Sequence, residues 1–164
     1  MTRWMISTIL ILHSLLACCS PREEVVKSGA HRLDLYLPII DKHKIALVAN
    51  HTSLVGERHL VDTLLSRGIS KEQILKVFAP EHGFRGDHAA GVMVEDGKDP
   101  LTGIEVVSLY GSNKKPGPEV LEGVEMVVFD LQDVGARFYT YISTLHYVME
   151  ACAENDIPLL VLDR

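Results

Sequence analysis

Beyond residue 30, apolar runs of strand length alternate with stretches whose apolar residues recur at helical spacing. The strand candidates are Ile45 to Ala49, Ile74 to Phe78, Ile104 to Leu109, Met126 to Phe129 and Leu159 to Leu162. The helix candidates are about Leu33 to Asp41, Glu57 to Arg67, Pro118 to Glu122 and Phe138 to Glu154. Alternating strands and helices favour an α/β fold in which the strands run parallel and the helices cross over between them.

The longest helix candidate has its apolar residues at spacings of three and four. They are Ile142, Leu145, Val148, Met149 and Cys152. We expect them to form one buried stripe against the sheet. The first helix candidate contains Pro38, which can break it and leaves its end uncertain. The fold expected from the whole pattern is an open, mainly parallel, Rossmann-like sheet with flanking helices.

Polar residues directly follow most of the strand candidates. The groups are Asn50-His51-Thr52, Glu81-His82, Asp130-Gln132-Asp133 and Asp163-Arg164. In open parallel sheets ligands bind outside the carboxyl ends of the strands, so we expect these four distant segments to converge on one site. The alternative is that they are only the solvated starts of loops.

The segment from Ala79 to His88 places acids, imidazoles and a guanidinium directly behind a strand candidate. Its ionisable residues are Glu81, His82, Arg85, Asp87 and His88. Beside Pro80 and Phe84, the carboxyl group of Glu81 is expected to be partly desolvated, which favours its protonated form. Glu81 is therefore the candidate general acid for a glycosidic oxygen.

Other reaction classes are disfavoured by missing motifs. His82, Asp87 and His88 are residue types that ligate zinc or manganese, but no H-E-x-x-H motif or cysteine pair accompanies them, so we predict no metal. The first strand is not followed by G-x-G-x-x-G, and the chain has no P-loop motif, so no nucleotide cofactor is predicted. The absence of a G-x-S-x-G elbow disfavours serine hydrolysis.

Composition and charge narrow the class of protein further. The 164 residues are 47% hydrophobic and 23% charged, which suits one domain with a buried core. The net charge of −6 disfavours nucleic acid as a partner. The sequence stops directly after the last strand candidate, with no helix to cover it, so we expect the sheet to be part of a longer protein with a second domain.

The N-terminal region has the pattern of an export signal. Residues 1–17 contain Arg3 and an apolar stretch from Trp4 to Leu16 that is too short to span a bilayer comfortably. The following Cys18 completes a sequence that resembles a bacterial lipobox, in which this cysteine becomes the lipidated first residue. The alternative is an ordinary core or membrane-anchor cysteine. We interpret residues 18–30 as a tether and residues 31–164 as the folded domain, and we expect a lipid-anchored protein of the bacterial cell envelope.

Several motifs together match one family in order and spacing. They are Asn50-His51-Thr52, the run from Ala79 to Asp87, Ser108-Leu109-Tyr110-Gly111, Lys115-Pro116 and the run from Phe129 to Tyr141. Through them the chain resembles the NamZ family of bacterial exo-β-N-acetylmuramidases, from about Gly29 to Arg164. The resemblance covers only the Rossmann-like N-terminal domain of that family, whose full members continue with a second domain.

The resemblance implies hydrolysis of a terminal β-linked N-acetylmuramic acid from the non-reducing end of peptidoglycan fragments, in a cleft between two domains. The implied substrates are peptidoglycan-derived disaccharides or muropeptides. Glu81 becomes the candidate catalytic acid, with His82 beside it. The candidate substrate contacts are Asn50, Arg85, Asp87, Asp130, Asp133, Arg137 and Tyr139. For Asp133 a role as a cap or turn residue is the alternative.

Muramic acid carries a lactyl carboxylate that needs a cationic or backbone-donor partner. Arg85 and Arg137 are the candidates, because a guanidinium pairs with a carboxylate through two hydrogen bonds. The alternative for each arginine is a salt bridge to Asp87, Asp130 or Asp133 that only braces the loops.

The sugar face and the mechanism leave alternatives open. Tyr139 and Tyr141 cannot share a helical face, so we expect one to stack on the sugar while the other packs. In one mechanism the substrate's acetamido carbonyl attacks the anomeric carbon, with Asp130 orienting the acetamido group. In the other, two carboxyl groups act together, and a separation between them of about 5 to 5.5 Å gives retention whereas about 6.5 to 9.5 Å gives inversion. Alternative functions are a lipoprotein that binds muropeptides or other acidic sugars without cleaving them, and an inactive fragment.

Overall fold

The computed structural model describes residues 26–86 and 96–164 and contains a six-stranded sheet. Its strands are β1 (Ile45–Ala49), β4 (Ile74–Ala79), β5 (Gly97–Lys98), β6 (Glu105–Ser108), β7 (Met126–Asp130) and β8 (Leu159–Val161). A separate antiparallel hairpin is formed by β2 (Leu54–Val55) and β3 (Arg58–His59). The helices are α1 (Leu33–Ile40), α2 (Leu60–Ser66) and α3 (Tyr141–Glu154), and short 3-10 turns occur at Gly29–His31 and Lys71–Gln73.

Strand β1 lies at the centre of the sheet, and its five residues are fully buried. It pairs in parallel with β4 on one side and with β7 on the other, so the strand order is β5-β6-β4-β1-β7-β8. Among the described strands of this sheet, only β5 runs antiparallel, against β6. A run of Ile, Ala, Leu and Val suits this central position, because both faces of a mainly parallel sheet are covered by the rest of the domain.

The direction of chain progression reverses at β1. From β1 the chain moves to β4 and β6 on one side, then returns to β7 and β8 on the other. Such a reversal leaves a crevice at the carboxyl ends of the two strands that diverge, which is the usual ligand position in open α/β sheets. Here those strands are β1 and β7, where Ala49 lies beside Asp130.

The Rossmann-like α/β fold predicted from the sequence is confirmed. All five strand candidates overlap observed strands, and the first coincides with β1. The predicted helix starting at Leu33 is also present, and it continues past Pro38 to Ile40. In the part of the chain that the structure describes, no helix has the length and apolar character needed to cross a bilayer.

Three of the predicted helices differ from the structure, and the last begins at Tyr141 and not at Phe138. The second begins only at Leu60, because Gly56, with φ of 64°, allows the preceding residues to turn back as the β2–β3 hairpin. No helix forms at residues 118–122, where the chain makes turns instead. Local periodicity predicted a helix there, but five residues are too few to form a stable helix without tertiary support.

The buried stripe predicted for the last helix is wrong at two of its members. Ile142 is 59% exposed and Met149 is 52% exposed, whereas Val148 and Cys152 are buried as expected. The face that packs on the sheet is rotated and includes smaller and polar residues. Its buried members are Tyr141, Thr144, Val148, Ala151 and Cys152. A small or hydroxylated side chain fits close to the sheet, which hydrophobicity alone does not reveal.

The N-terminal turn is closed against the end of β8. The Gly29 amide donates to the Asp163 carbonyl, and a Cβ atom at Gly29 would lie 2.7 Å from the Asp163 nitrogen and 2.9 Å from the Leu162 backbone. Backbone atoms cannot rotate away from such a contact, so the position accepts only glycine without movement of the chain.

We expect Gly29→Ala to lower the free energy of unfolding by about 1–3 kcal/mol through this overpacking. Gly97→Ala is the matched control, because a Cβ atom there meets nothing within 4 Å. Urea unfolding of both variants measures the difference. Equal stability of the two variants would contradict the close approach.

Candidate active site

Asn50 lies directly after β1 and is fully buried. Its Oδ1 accepts hydrogen bonds from the Thr52 backbone amide at 2.9 Å and the Thr52 hydroxyl at 2.7 Å. The backbone amide of Asn50 donates to Ser53 Oγ at 3.0 Å. These bonds fix the orientation of the side chain. Its Nδ2 interacts with the nearby Tyr141 hydroxyl, but within the described part of the chain it makes no hydrogen bond of normal distance and angle. A buried donor without a well-formed hydrogen bond is unusual, and a catalytic role or a bound water can account for one.

His59 supports Asn50 from the β3–α2 junction. Its Nε2 bonds to the Asn50 carbonyl at 2.9 Å, while its Nδ1 accepts from the Val61 amide at the start of α2. Because Nδ1 is the acceptor, the network assigns the proton of the neutral ring to Nε2. Burial lowers the pKa of His59, although its bond to the Asn50 carbonyl opposes this shift. The ring also contacts the edge of Phe84, with centroids 4.6 Å apart.

Glu81 and His82 form a tight turn after β4. The Gly83 amide donates to the Pro80 carbonyl at 3.1 Å, and His82 adopts a left-handed backbone with φ of 74°. Left-handed backbone at a residue other than glycine is uncommon and occurs where surrounding contacts impose it, often at functional sites. Both Glu81 and His82 are partly buried. The structure thus brings the two predicted catalytic residues to the carboxyl edge of the sheet, beside the end of β1.

Tyr110, which follows β6, contacts Glu81 directly. Its hydroxyl donates to Glu81 Oε1 at 3.2 Å. Desolvation and the neighbouring carboxylate raise the pKa of the Tyr110 hydroxyl. The bond fixes one oxygen of Glu81, so the carboxyl group has a defined orientation at this edge.

Three aromatic residues lie close together just before and at the start of α3. Tyr141 is buried, Tyr139 is half-exposed and Phe138 is 84% exposed. Their rings are close: 5.6 Å separates the centroids of Phe138 and Tyr139, and 5.9 Å those of Tyr139 and Tyr141. Burial raises the pKa of the Tyr141 hydroxyl, the Asn50 amide opposes this, and the Glu81 charge adds to it. Tyr141 therefore packs near Asn50 and Glu81, whereas Tyr139 offers an exposed ring.

Arg85 lies on the same loop as Glu81 but points into a pair of carboxylates. It binds Asp62 of α2 and Asp99, which follows β5, each through two hydrogen bonds. The partners differ from the aspartates considered in the sequence. The described structure therefore places Arg85 in an internal ion-pair cluster.

Asp130 ends β7 and is fully buried, with both of its oxygens bound by Arg164. Burial raises the pKa of Asp130, and the Arg164 guanidinium opposes this rise. Arg164 also donates to the Leu54 carbonyl at 2.8 Å, while Ser53 Oγ donates to the Asp130 carbonyl. This pair ties the ends of β7 and β8 to the segment after β1, and the Asp130 carboxylate is occupied by it.

The remaining predicted residues are either exposed or lie outside the part of the chain that the structure describes. Asp133 is exposed, and its Oδ2 accepts from the Gly135 amide at 3.1 Å, a turn contact. Arg137 is exposed and forms no ion pair with any residue that the structure describes. Asp87, His88 and the predicted lipidation residue Cys18 lie outside the described residues.

Sequence reasoning missed several partners in this region. Tyr110 could have been found by the same rule that selected Glu81, since it closely follows the end of a strand. Asp62, on a helix, and Asp99, after a two-residue strand, carry no comparable local signal. Their role depends on a contact with Arg85 across 23 and 14 positions of sequence.

Two grooves lie among the described residues near this edge of the sheet. An open groove of about 390 Å³ is lined by His51, Leu54, Glu57, Arg58, His59, Asp62 and Arg85. A smaller one of about 180 Å³ lies between the start of α3 and the end of β8, and Tyr141 and Arg164 contribute to it. Within residues 26–86 and 96–164, no group of three or more His, Cys, Asp or Glu side chains is arranged to hold a metal ion.

Comparison with known proteins identifies the same family as the sequence motifs. Residues 45–164 match the family model described as exo-β-N-acetylmuramidase NamZ, N-terminal. The chain is 46% identical over 140 residues to the peptidoglycan β-N-acetylmuramidase NamZ of Bacillus subtilis strain 168, an alignment that covers 80% of this chain and 33% of the relative.

Solved structures extend the similarity to the fold. Two DUF1343 family proteins of Bacteroides fragilis NCTC 9343 superpose with TM-scores of 0.74 and 0.70 at 36% and 38% sequence identity. Each comparison covers 84% of this chain and 34% of the other protein. The chain therefore spans about a third of the length of the relatives that it matches.

The lowered pKa of His59 predicts that stability falls in mild acid. The folded pKa lies below the unfolded value of about 6.5, so the contribution of the neutral ring is present above that value and is lost as the pH falls towards the folded pKa. Protonation also removes the Nδ1 acceptor for Val61. Urea unfolding at pH 7 and at pH 5 measures the difference in free energy of unfolding between the native chain and His59→Gln. We expect this difference to be smaller at pH 5. His146→Gln, an exposed histidine, is the control; a pH-independent gap for His59→Gln would contradict the prediction.

Proposed function

The chain belongs to the NamZ family through its N-terminal domain, and from this we propose that it supplies the Glu81 side of an active site that releases N-acetylmuramic acid from peptidoglycan fragments. The reaction proposed is hydrolysis of a terminal β-linked residue at the non-reducing end. The observation that carries the proposal is a partly buried, oriented carboxyl group, Glu81, at the carboxyl edge of a sheet that belongs to this family.

Glu81 would act on the oxygen of the glycosidic bond. In its acid form it gives its proton to the leaving oxygen as the bond to the anomeric carbon breaks. Water then attacks that carbon, adding a hydroxyl group to the sugar and returning a proton to the Glu81 carboxylate. The Tyr110 bond to Oε1 holds the carboxyl plane in place during this transfer. His82 follows Glu81 in the same tight turn and is the residue that we propose to assist the proton movement.

Among the described residues, the positions of the candidate carboxylates Asp130 and Asp133 support a mechanism in which the substrate itself helps. Asp130 is buried and bound by Arg164, and Asp133 is exposed and occupied in a turn, so neither is placed as a second carboxylate beside Glu81. The buried Asn50 Nδ2 instead offers a donor beside the Tyr141 hydroxyl, the group on which the Glu81 charge also acts. An acetamido carbonyl oriented by such a donor can attack the anomeric carbon and form the cyclic intermediate of substrate-assisted glycosidases.

Exposed residues at this edge of the sheet are proposed to recognise the substrate. Tyr139 presents a half-exposed ring suited to stacking on a sugar face, and Arg137 is an exposed cation suited to the lactyl carboxylate. Arg85 is a weaker candidate for that role, since it already binds two carboxylates. The substrates proposed are peptidoglycan-derived disaccharides and muropeptides.

We further propose that the protein acts in the bacterial cell envelope, exported by residues 1–17 and anchored by lipid on Cys18. The support is the lipobox-like sequence and the polymer on which the proposed enzyme would act.

Glu81→Gln should lower the turnover of an aryl β-N-acetylmuramic acid glycoside by at least about 10²-fold, because glutamine keeps the shape of glutamate but cannot donate the proton. The assay follows release of the coloured aryl group by the full-length protein. Glu105→Gln makes the same chemical change at an exposed carboxylate of β6 and should retain activity. Near-normal turnover of Glu81→Gln would remove Glu81 from the role, and saturable binding without release by the native protein would favour the binding function.

Cys18→Ser should abolish lipidation and move the protein from the membrane fraction to the soluble fraction. Metabolic labelling with a fatty acid and the mass of the N-terminal peptide measure this. Cys152→Ser, at a buried cysteine in α3, is the control and should remain labelled. Equal labelling of Cys18→Ser and the native chain would reject the anchor.

A further inference from the structure

The turn that carries Glu81 continues into a short loop, residues 81–86, that is fixed on both sides. Phe84 is 5% exposed and packs its ring against His59. Gly86 approaches His51 so closely that a Cβ atom at position 86 would lie 2.8 Å from the His51 β-carbon. Both contacts hold the loop against the segment that follows β1.

Arg85 adds the strongest of these attachments. Its Nε and Nη2 donate to the two oxygens of Asp99 at 2.7 and 2.8 Å, and its Nη1 and Nη2 donate to the two oxygens of Asp62 at 2.9 and 3.0 Å. Four hydrogen bonds from one planar guanidinium fix both its position and its orientation. The guanidinium also lies over the Phe84 ring, 4.9 Å from its centroid. We call Asp62, Arg85 and Asp99 the carboxylate clamp.

Asp99 is a rigid partner within this clamp. It is 2% exposed, and its Oδ2 also accepts from the amide and the hydroxyl of Thr102. The Asp99 amide and carbonyl bond to Ile104 and Gly103, which closes a turn before β6. Burial opposes the charge on Asp99, but the bonds from Arg85 and Thr102 prevail and hold its pKa at about 2. The carboxylate is therefore charged over the whole range in which the protein would work.

The charge balance of the clamp leaves no net positive charge for a substrate. One guanidinium and two carboxylates sum to one negative charge, and the side chain of Arg85 is only 20% exposed. An additional carboxylate from muramic acid would be repelled by Asp62 and Asp99. The clamp is therefore suited to holding the loop in position and not to binding an anion.

We propose that the Asp62–Arg85–Asp99 clamp positions the Glu81 turn for catalysis, with Arg85 as a positioning residue that does not touch the substrate. The clamp joins three separate parts of the domain: helix α2, the Glu81 loop and the turn before β6. The effect of the clamp on catalysis rests on the function proposed above, whereas its role in holding the Glu81 loop in place does not. Loss of either carboxylate partner leaves a partly buried guanidinium with half of its bonds and frees the loop to shift.

Amide hydrogen exchange tests the mechanical part in the full-length protein. Arg85→Lys keeps the charge but can serve only one carboxylate well, so exchange of the Gly83 amide should accelerate by at least about tenfold. The Val127 amide, bonded to Pro158 at the opposite end of the sheet, should be unchanged. Asp62→Asn, a milder change at a partner that is 31% exposed, provides a second variant if Arg85→Lys folds poorly.

Steady-state kinetics test the catalytic part. Arg85→Lys and Asp99→Asn should lower kcat by about 100-fold, the effect expected of a small misplacement of a catalytic group, while KM stays within about threefold. Glu105→Gln repeats the carboxylate-to-amide change at the exposed partner of Lys76 and should leave kcat unchanged. Met126→Ala, at the amino end of β7, serves as a variant destabilised away from the site.

The outcomes separate this proposal from the proposed function. Faster Gly83 exchange with a lower kcat in the clamp variants, but not in Met126→Ala, supports it. Unchanged Gly83 exchange would overturn it, and so would a large rise in KM for the muramic acid glycoside with exchange intact, since that places Arg85 on the substrate. If the native protein releases no sugar, the proposed function fails, and the exchange measurement alone decides whether the clamp holds the turn.

Discussion

The parallel pairing of β1 with β4 and β7 is the constraint on which the arrangement depends. Because β1 is fully buried and bonded on both sides, the strands beside it end at the same edge. That edge gathers Asn50, the Glu81 turn and the end of β7 from positions far apart in sequence. The chain reverses its direction of progression there, so the loops diverge and leave space between them. The candidate active site is thus a consequence of strand order.

Two arginine–carboxylate arrangements secure the loops of this edge. Arg164 binds Asp130 and the Leu54 carbonyl, and Arg85 binds Asp62 and Asp99. A buried or partly buried charge is stable only when partners satisfy it, so each arginine must be met by a defined geometry. Arg164 and Arg85 therefore serve to hold the loops of the site, and one oxygen of Glu81, the group proposed for chemistry, accepts a hydrogen bond from Tyr110.

The proposed mechanism follows from what these attachments leave available. Asp130 is occupied by Arg164, and the described polar groups on this side of the site include the Tyr110 hydroxyl, the Asn50 amide and the Tyr141 phenol. This set suits proton transfer by one carboxyl group and orientation of a substrate amide by neutral donors. The family relation and the geometry support the same class of reaction, although the chain spans only about a third of its relatives.

Local hydrophobic periodicity was enough to locate five strands of the sheet and the polar groups that follow them, including the Glu81 turn. The same periodicity predicted a helix at residues 118–122 that does not form, and it gave no signal for β5. Tertiary contacts set the hairpin at residues 54–59, the buried face of α3 and the partners of Arg85 and Asp130. Such pairings depend on which distant residues the sheet order brings within hydrogen-bond distance. A guanidinium near a site has the same sequence signal whether it binds a substrate or a buried aspartate, and only the position of the aspartate tells the two apart.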